Sequence, residues 1–390
     1  MTDILPDALL SSYQASAQDC LPQAQCLPFA VYHDPSIYQL EAQKIFHQEW
    51  VFACAQQQLA NPGDYFAFTL AGEALAIIRG EDNTLRALSN NCRHRGTPLL
   101  DEGFGQLEKL IICPYHAWAY DDLGKLKAAP FTQDTPINKA QHCLPQFHLE
   151  CWMGLIFVNL ADQPAPLSHR LEGLEKYLSI FEAQRFGECY ESGAENWQAN
   201  WKLAMENAME SYHLFKVHKD TLETLTPSKQ AYYVAGSHNW SLNGGKMVDK
   251  RGKIMKFLSG DYPEAFDHYL LISLPPSFVG IINYDSFDWI QILPNGAQSC
   301  SVRAGGMAKS ANRQVDKGTQ DFVSAFFSED KFICERLQKG MHSSHTKGGR
   351  LVGMEQILID FRQFLGRCLF KSTPAEFSKT PEAQRFFQDP

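Results

Sequence analysis

The sequence predicts an α+β fold in which a small antiparallel β domain precedes a larger domain of mixed helices and strands. Short alternating or apolar segments, separated by turn residues, fill residues 45–162. Longer helical segments and a second group of strands occupy residues 167–390. The segment Pro164-Ala-Pro166 between them is typical of a linker. We expect residues 1–44 to form a helical segment that packs on the second domain.

The β domain is predicted from a series of short segments with strand character. A helical segment, Gln39–Trp50, comes first, and turns are expected at Gly63-Asp64 and Glu81-Asp-Asn83. The predicted strands are Tyr65–Leu70, Leu75–Arg79, Leu85–Asn90, Lys109–Ile112 and Trp152–Leu160.

The second domain is predicted from a change of periodicity after the linker. Helices are expected at Leu171–Phe181 and Trp197–Val217, and a helical stretch begins near Gln320. Mixed strands are expected across Tyr269–Val302.

Composition and charge exclude several classes of function. The chain of 390 residues is long enough for two or three domains, and its net charge of −9 comes without a long basic stripe for binding nucleic acid. Although there are eleven cysteines, the first basic residue is Lys44, so no basic segment opens a secretory signal. No apolar run reaches the roughly 18 residues of a membrane helix. We therefore expect a soluble cytoplasmic protein with reduced thiols.

Two short motifs each combine one cysteine with one histidine. Cys92-Arg-His94 is followed after eighteen residues by Cys113-Pro-Tyr-His116. In a Rieske [2Fe–2S] cluster two cysteines hold one iron and two histidines hold the other, which raises the reduction potential and suits one-electron transfer. A structural zinc ion with the same four ligands is the alternative, but zinc fingers usually bring two cysteines as one close pair and two histidines as another.

The residues around these ligands resemble the Rieske domain of the ring-hydroxylating oxygenase family. The similar strings are Cys92-Arg-His-Arg-Gly96 and Cys113-Pro-Tyr-His-Ala-Trp118, with Gly124 closing the next turn. Respiratory Rieske proteins usually carry a further cysteine in each loop, and here Thr97 and Tyr115 take those places. Ala117 departs from the glycine that is common in the family. The resemblance implies a helix-grip-like catalytic domain, with an antiparallel sheet surrounded by helices, after the Rieske domain.

A second group of metal-ligating side chains follows in the predicted helix Trp197–Val217. Glu206, Glu210 and His213 share one helical face by spacing. His218 lies about 140° from His213 on an ideal helix, so the helix must end or bulge between them for both imidazoles to reach one ion. Two histidines and one carboxylate form the facial triad of non-haem iron(II) oxygenases. On spacing alone, a solvated acidic stripe with capped or surface histidines is the favoured alternative.

The same family resemblance extends to this segment and to a downstream one. Asn200-Trp-Lys…Glu206-Asn…Glu210-Ser-Tyr-His213…His218 is similar to the mononuclear-iron motif, and Ser328-Glu-Asp…Ile333-Cys-Glu…Gln338-Lys-Gly340 to the segment with the third ligand. The resemblance implies Asp330 as that ligand, with Glu329 as the fallback. It also implies that Glu210 connects an iron-ligating histidine to a cluster-ligating histidine of a neighbouring subunit, and that Asn207 lines the iron pocket.

Taken together, these motifs predict a terminal oxygenase subunit that uses O₂ to hydroxylate or demethylate a small organic substrate. Since no Gly-rich dinucleotide fingerprint follows a strand, NAD(P)H should be oxidised by a separate flavin reductase, with or without a ferredoxin. Glu at position 210 resembles the choline, carnitine and betaine branch and some aromatic-acid hydroxylases, so both quaternary-ammonium and aromatic substrates stay open. The resemblance implies a homotrimer. An electron carrier or redox sensor without turnover is the alternative, and it would have no use for His213, His218 and Asp330.

Overall fold

The computed structural model describes residues 7–181, 186–237, 239–248, 267–308 and 317–372. The chain divides into two compact units, one of residues 46–165 and one of residues 1–45 with 166–390. The sequence predicted domains at residues 45–162 and 167–390 after a helical segment at residues 1–44. The predicted α+β class, with an antiparallel sheet in each unit, is confirmed.

The unit of residues 46–165 is built from antiparallel strands. Seven strands form one sheet in the order β1-β10-β9-β4-β3-β2-β5, and three form a smaller sheet in the order β6-β7-β8. Their bounds are β1 Val51–Ala55, β2 Asp64–Leu70, β3 Glu73–Arg79, β4 Leu85–Ser89, β5 Gly103–Gln106, β6 Ile111–Ile112, β7 Ala119–Tyr120, β8 Leu126–Ala128, β9 Gln146–Trp152 and β10 Leu155–Asn159.

Two buried strands and two tight turns determine how the strands of this larger sheet pair. Every residue of β1 and of β10 is buried, and all of them except Asn159 at the end of β10 are apolar. Two-residue turns join β2 to β3 at Ala71-Gly72 and β9 to β10 at Met153-Gly154, and all four turn residues have positive φ. Such turns match the twist of the strands, which explains a glycine in each.

The other unit combines helices with a seven-stranded antiparallel sheet, in the order β11-β17-β16-β15-β14-β13-β12. Within the described residues, the helices are α1 Asp7–Ser16, α2 Pro35–Glu41, α3 Leu167–Leu171, α4 Glu175–Leu178, α5 Trp201–Met209, α6 Leu214–Val217, α7 Lys317–Gly340 and α8 Gln356–Phe370. The strands are β11 Glu188–Trp197, β12 Ala231–Val234, β13 Ser241–Lys246, β14 His268–Leu274, β15 Phe278–Ile282, β16 Ser286–Gly296 and β17 Ser299–Ala308.

Three predicted helices differ from expectation in their bounds or their continuity. The helix predicted at Gln39–Trp50 is α2 followed by one wider helical turn at Ala42–Phe46. The helix predicted at Leu171–Phe181 is interrupted at Gly173, which has a φ of 80°. The long helix predicted at Trp197–Val217 was wrong at its start and in the middle: Trp197 ends β11, Asn200 caps α5, and the helix stops at Met209 before α6 begins. Its predicted end at Val217 is the end of α6.

A buried polar cluster connects the N-terminal segment to α5. Glu41, at the end of α2, accepts hydrogen bonds from Tyr13 Oη at 3.1 Å and from Trp201 Nε1 at 2.8 Å. Lys202 Nζ lies 2.7 Å from the same carboxylate, and both charged side chains are fully buried. Removing Glu41 would leave a buried ammonium without this counter-charge, which costs roughly 3–5 kcal/mol. The first turn of α5 is therefore held against residues from the start of the chain.

Within the described part of the chain, every helix is too short or too polar to span a lipid bilayer.

Candidate metal centres

The two Cys/His loops of the β domain have the same backbone geometry. In the first, Cys92 N donates to Thr97 O at 2.9 Å and Gly96 N donates to Cys92 O at 2.8 Å. In the second, Cys113 N donates to Trp118 O at 2.8 Å and Ala117 N donates to Cys113 O at 3.0 Å. The two cysteines thus take equivalent positions, whereas His94 follows its cysteine by two residues and His116 follows its cysteine by three.

Ala117 occupies the place in the second loop that Gly96 occupies in the first. Both residues have positive φ, 57° for Ala117 and 76° for Gly96. A left-handed conformation costs a residue with a Cβ roughly 1–2 kcal/mol, which explains why glycine is the ordinary choice at this position. The alanine does not disturb the loop hydrogen bonds.

The loops bring the thiols together on one side and the imidazoles together on the other. Cys92 and Cys113 are 3% exposed and belong to the domain's hydrophobic core, and the Cys92 thiol interacts with Cys113. His94 and His116 are exposed, with ring centroids 4.7 Å apart. Separate thiol and imidazole pairs fit a Rieske [2Fe–2S] cluster, in which two cysteines hold one iron and two histidines hold the other.

The chemistry of these four groups also suits cluster ligands. Burial opposes ionisation of Cys113, but backbone N–H groups of His116 and Tyr115 lower the pKa of its thiol. Burial, His116 and Arg95 lower the pKa of His94, which favours the neutral imidazole. Metal ligation requires a thiolate and a neutral imidazole.

Tyr120 adds a polar contact to the sulfur side that sequence reasoning missed. Its hydroxyl lies 3.4 Å from Cys92 Sγ and accepts a hydrogen bond from Arg93 N at 3.0 Å. Burial and Cys92 raise the pKa of Tyr120, so the phenol keeps its proton. The only sequence signal was its position seven residues after Cys113, which shows no contact by itself.

In the larger unit, a break in the chain after α5 creates the second site. Glu210 is extended, with φ −116° and ψ 164°, and its carboxylate accepts hydrogen bonds from the backbone N–H groups of Tyr212 and His213. Ser211 is buried and accepts a 3.2 Å hydrogen bond from Asn243 Nδ2 on β13. Contacts with the sheet and the Glu210 cap therefore end α5 and start α6.

The break places both histidines beside one carboxylate. His213 precedes α6 and His218 follows it, with their ring centroids 5.0 Å apart. Asp330 Oδ1, on α7, lies 2.9 Å from His218 Nε2 and 3.6 Å from His213 Nε2. The candidate ligand atoms of these three residues all lie within 4.8 Å of one another. The sequence required the helix to end or bulge between His213 and His218. In the structure α5 ends earlier, at Met209, and the one-turn helix α6 lies between the two histidines.

The proton affinities at this site show how strongly its charges interact. Burial opposes protonation of His213, but hydrogen bonds to Asp330 and Glu210 raise its pKa to about 10. Burial opposes ionisation of Asp330, but hydrogen bonds from His213 and His218 bring its pKa down to about 2. Without a metal, protons shared in hydrogen bonds keep the two imidazoles close to the Asp330 carboxylate. A divalent cation could take the place of these protons.

The other predicted residues of this site take different places. Asn207 Nδ2 donates to Asp330 Oδ1 at 2.7 Å, and Glu210 Oε1 lies 2.5 Å from His213 Nδ1. Glu329 lies on the far side of His218, 2.8 Å from its Nδ1. The shared face predicted for Glu206, Glu210 and His213 is wrong, because α5 ends before Glu210 and both oxygens of Glu206 lie 2.9 Å from Tyr32 Oη.

Two family models match the chain. Residues 49–148 match the Rieske [2Fe-2S] domain, and residues 183–370 match the catalytic domain of the ring hydroxylating alpha subunit. Each match contains one of the two candidate metal centres.

Curated relatives cover part of the chain. The glycine betaine monooxygenase oxygenase subunit of Chromohalobacter salexigens is 34% identical over 227 residues, which is 57% of this chain and 50% of that protein. The carnitine monooxygenase oxygenase subunit of Escherichia coli K12 is 30% identical over 250 residues, 63% of this chain and 64% of that protein. The chain therefore spans between half and two thirds of the length of these relatives.

Solved structures with the same fold cover nearly the whole chain. The quaternary ammonium Rieske monooxygenase CntA superposes with a TM-score of 0.76 at 22% identity, covering 94% of this chain and 99% of that one. Naphthalene 1,2-dioxygenase from Rhodococcus sp. gives a TM-score of 0.74 at 19% identity, covering 95% and 100%. At these identities the two structures establish the fold.

Proposed function

The chain belongs to the family of Rieske oxygenase alpha subunits, and from this membership we propose that it is the terminal oxygenase component of an O₂-dependent enzyme. The observation that carries the proposal is the convergence of His213, His218 and Asp330 on one point. An electron carrier or redox sensor needs the Cys/His loops but has no use for this open-sided set of two imidazoles and a carboxylate.

The residues present fit both metal groups that this function requires. Cys92 and Cys113 would hold one iron of a [2Fe–2S] cluster, and His94 and His116 the other. The second site, His213, His218 and Asp330, supplies two nitrogen donors and one carboxylate, the ligand set of non-haem iron(II) oxygenases. When bound, the cluster relays single electrons and the mononuclear iron activates O₂.

The polar residues around the second site keep its geometry fixed. Glu210 holds the Nδ1 proton of His213, so Nε2 is the nitrogen left for a metal. Asn207 fixes the rotamer of Asp330 by its 2.7 Å hydrogen bond. In the proposed oxygenase, Glu210 also accepts a hydrogen bond from a cluster histidine of a neighbouring subunit. Such a bond requires an oligomer, and the family resemblance implies a ring of three chains.

The proposed substrate is a quaternary ammonium compound. Two observations support this class. Position 210 is Glu rather than Asp, and the two relatives described above are oxygenase subunits of glycine betaine monooxygenase and carnitine monooxygenase. Monooxygenation inserts one oxygen atom into a substrate C–H bond and reduces the other to water, which consumes two electrons and two protons. The proposed electron source is NAD(P)H, oxidised by a separate flavin reductase directly or through a ferredoxin.

A substrate panel tests the proposal. The iron-loaded protein, supplied with NADH and a flavin reductase, should consume O₂ and form hydroxylated or demethylated product with quaternary amines. The panel includes aromatic acids, because benzene 1,2-dioxygenase subunit alpha is also 28% identical over 220 residues. The control His213→Ala should keep the cluster absorbance and lose product formation. Cluster reduction without product from any compound, in the wild type as in the control, would favour an electron carrier.

A further inference from the structure

The two histidines of the second site are oriented in the same way. Each directs Nε2 towards Asp330 Oδ1, at 3.6 Å for His213 and 2.9 Å for His218. Each directs Nδ1 towards a glutamate, since His213 Nδ1 lies 2.5 Å from Glu210 Oε1 and His218 Nδ1 lies 2.8 Å from Glu329 Oε2. Glu329 therefore has the same contact with His218 that Glu210 has with His213, since each carboxylate faces the Nδ1 atom of one imidazole.

This orientation separates Glu329 from the ligand position. Nδ1 and Nε2 point to different sides of an imidazole ring, and Glu329 Oε2 lies on the side that faces away from Asp330. An ion bound at His218 Nε2 would have the ring between itself and this oxygen. The third-ligand role considered for Glu329 from the sequence does not suit this geometry.

A hydroxyl from the next turn of the chain holds the Glu329 carboxylate in place. Thr221 Oγ1 donates to Glu329 Oε2 at 2.7 Å, and Thr221 N donates to His218 O at 3.1 Å. Thr221 is 8% exposed and His218 is fully buried. The three residues therefore form a closed set of contacts. Glu329 on α7 orients His218, and Thr221 in the turn after α6 orients Glu329.

We infer that Glu329 and Thr221 are positioning residues that set the tautomer and the ring plane of His218 for metal binding. This inference rests on the proposed function. A ligating histidine commonly donates its second ring N–H to a carboxylate, which fixes the tautomer and makes the ligating nitrogen more basic. Losing such a partner typically weakens metal affinity by about 10- to 100-fold.

The two glutamates differ in what else they contact. Glu210 binds backbone N–H groups of its own loop and is proposed to reach a neighbouring subunit, whereas Glu329 is satisfied by Thr221 of the same chain. Glu329 should therefore act on iron binding alone. Its loss should weaken the iron site without the loss of cluster-to-iron electron transfer expected when Glu210 is changed.

Iron titration of four variants tests the inference. Glu329→Met removes the acceptor at similar length, Thr221→Val removes the hydroxyl at the same shape, and Thr221→Ser restores it. Glu335→Met, on the same helix, serves as the matched control, because its carboxylate accepts only from Gln198 N among the described contacts. Each protein, with an intact cluster by absorbance and no catalytic iron, is titrated with Fe(II). The EPR signal of the ferrous–nitrosyl complex is then recorded.

We expect about 10- to 100-fold weaker Fe(II) affinity and an altered nitrosyl signal in Glu329→Met and Thr221→Val. Thr221→Ser and Glu335→Met should match the wild type in both. Wild-type affinity and signal in Glu329→Met and Thr221→Val would overturn the positioning role while leaving the proposed function intact. If the wild type itself takes up no iron beyond its cluster, the proposed function fails and this role fails with it.

Discussion

Asn207 Nδ2 donates a 2.7 Å hydrogen bond to Asp330 Oδ1, the oxygen that also faces both imidazoles of the second site. Asn207 lies on α5 and Asp330 on α7, 123 residues later. The amide thus fixes the position of a side chain that its own helix leaves free to rotate. Asp330 is held by three polar neighbours even before a metal binds.

Replacing Asn207 with Leu should loosen the iron site. The leucine keeps the approximate size of the side chain and removes the donor, so Asp330 can leave its rotamer. We expect iron to be extracted by a chelator about ten times faster than from the wild type, with the cluster unaffected. An unchanged extraction rate would show that His213 and His218 orient Asp330 without the amide.

Replacing Glu210 with Gln should leave both metals bound and slow electron transfer between them. Gln cannot accept hydrogen bonds from two imidazoles as a carboxylate does, so the proposed connection between subunits is weakened. Single-turnover reoxidation of the reduced cluster should become at least about tenfold slower. Reoxidation at the wild-type rate would remove the bridging role of Glu210.

Replacing Tyr120 with Phe should lower the reduction potential of the cluster. A hydroxyl 3.4 Å from Cys92 Sγ stabilises negative charge on sulfur, which favours the reduced state. A hydrogen bond of about 1 kcal/mol corresponds to roughly 40 mV for one electron. A redox titration followed by absorbance measures the midpoint, and Tyr65→Phe is the control in the same domain. Equal midpoints in both variants would contradict a bond to the sulfur.

Stability should depend on pH through Asp360. Burial raises the pKa of this carboxyl to about 8, and Tyr233 Oη donates to it at 2.8 Å. In the unfolded chain this carboxyl ionises at about pH 4, so between these two pH values the folded state binds one more proton than the unfolded state. This contribution to stability is complete below about pH 4, and it falls by about 1.4 kcal/mol per pH unit as the pH rises to about 8.

The variant Asp360→Asn tests this pH dependence. Asparagine can still accept from Tyr233 and does not titrate. The melting temperature of the variant should therefore rise relative to that of the wild type as the pH is raised from 5 to 8. A constant difference across this range would show that Asp360 does not hold a proton in the folded protein.

Local spacing predicted the Cys/His loops well, because each loop is a short segment whose hydrogen bonds close within five residues. Cys92 and His94 lie in one loop and Cys113 and His116 in the other, so only their juxtaposition depends on the fold. Resemblance to the family placed Asp330 beside the histidines across 112 residues, which spacing could not have done.

Tertiary contacts explain what the sequence could not predict. Residues 210–213 are compatible with a helix, and the break depends on Ser211 meeting Asn243 on a strand 32 residues away. Because of the same break, Glu210 and His213 no longer share a helical face with Glu206. Thr221 carries no motif, and its bond to Glu329 appears only when α7 packs beside the turn after α6.

Iron and acid-labile sulfide analysis of the purified protein tests the two-centre account most directly. We expect about three irons and two sulfides per chain, with the third iron lost in a variant that lacks His213, His218 and Asp330. Two irons at full sulfide content, with none gained on adding Fe(II), would contradict it. Zinc in place of iron and sulfide at Cys92 and Cys113 would contradict it as well.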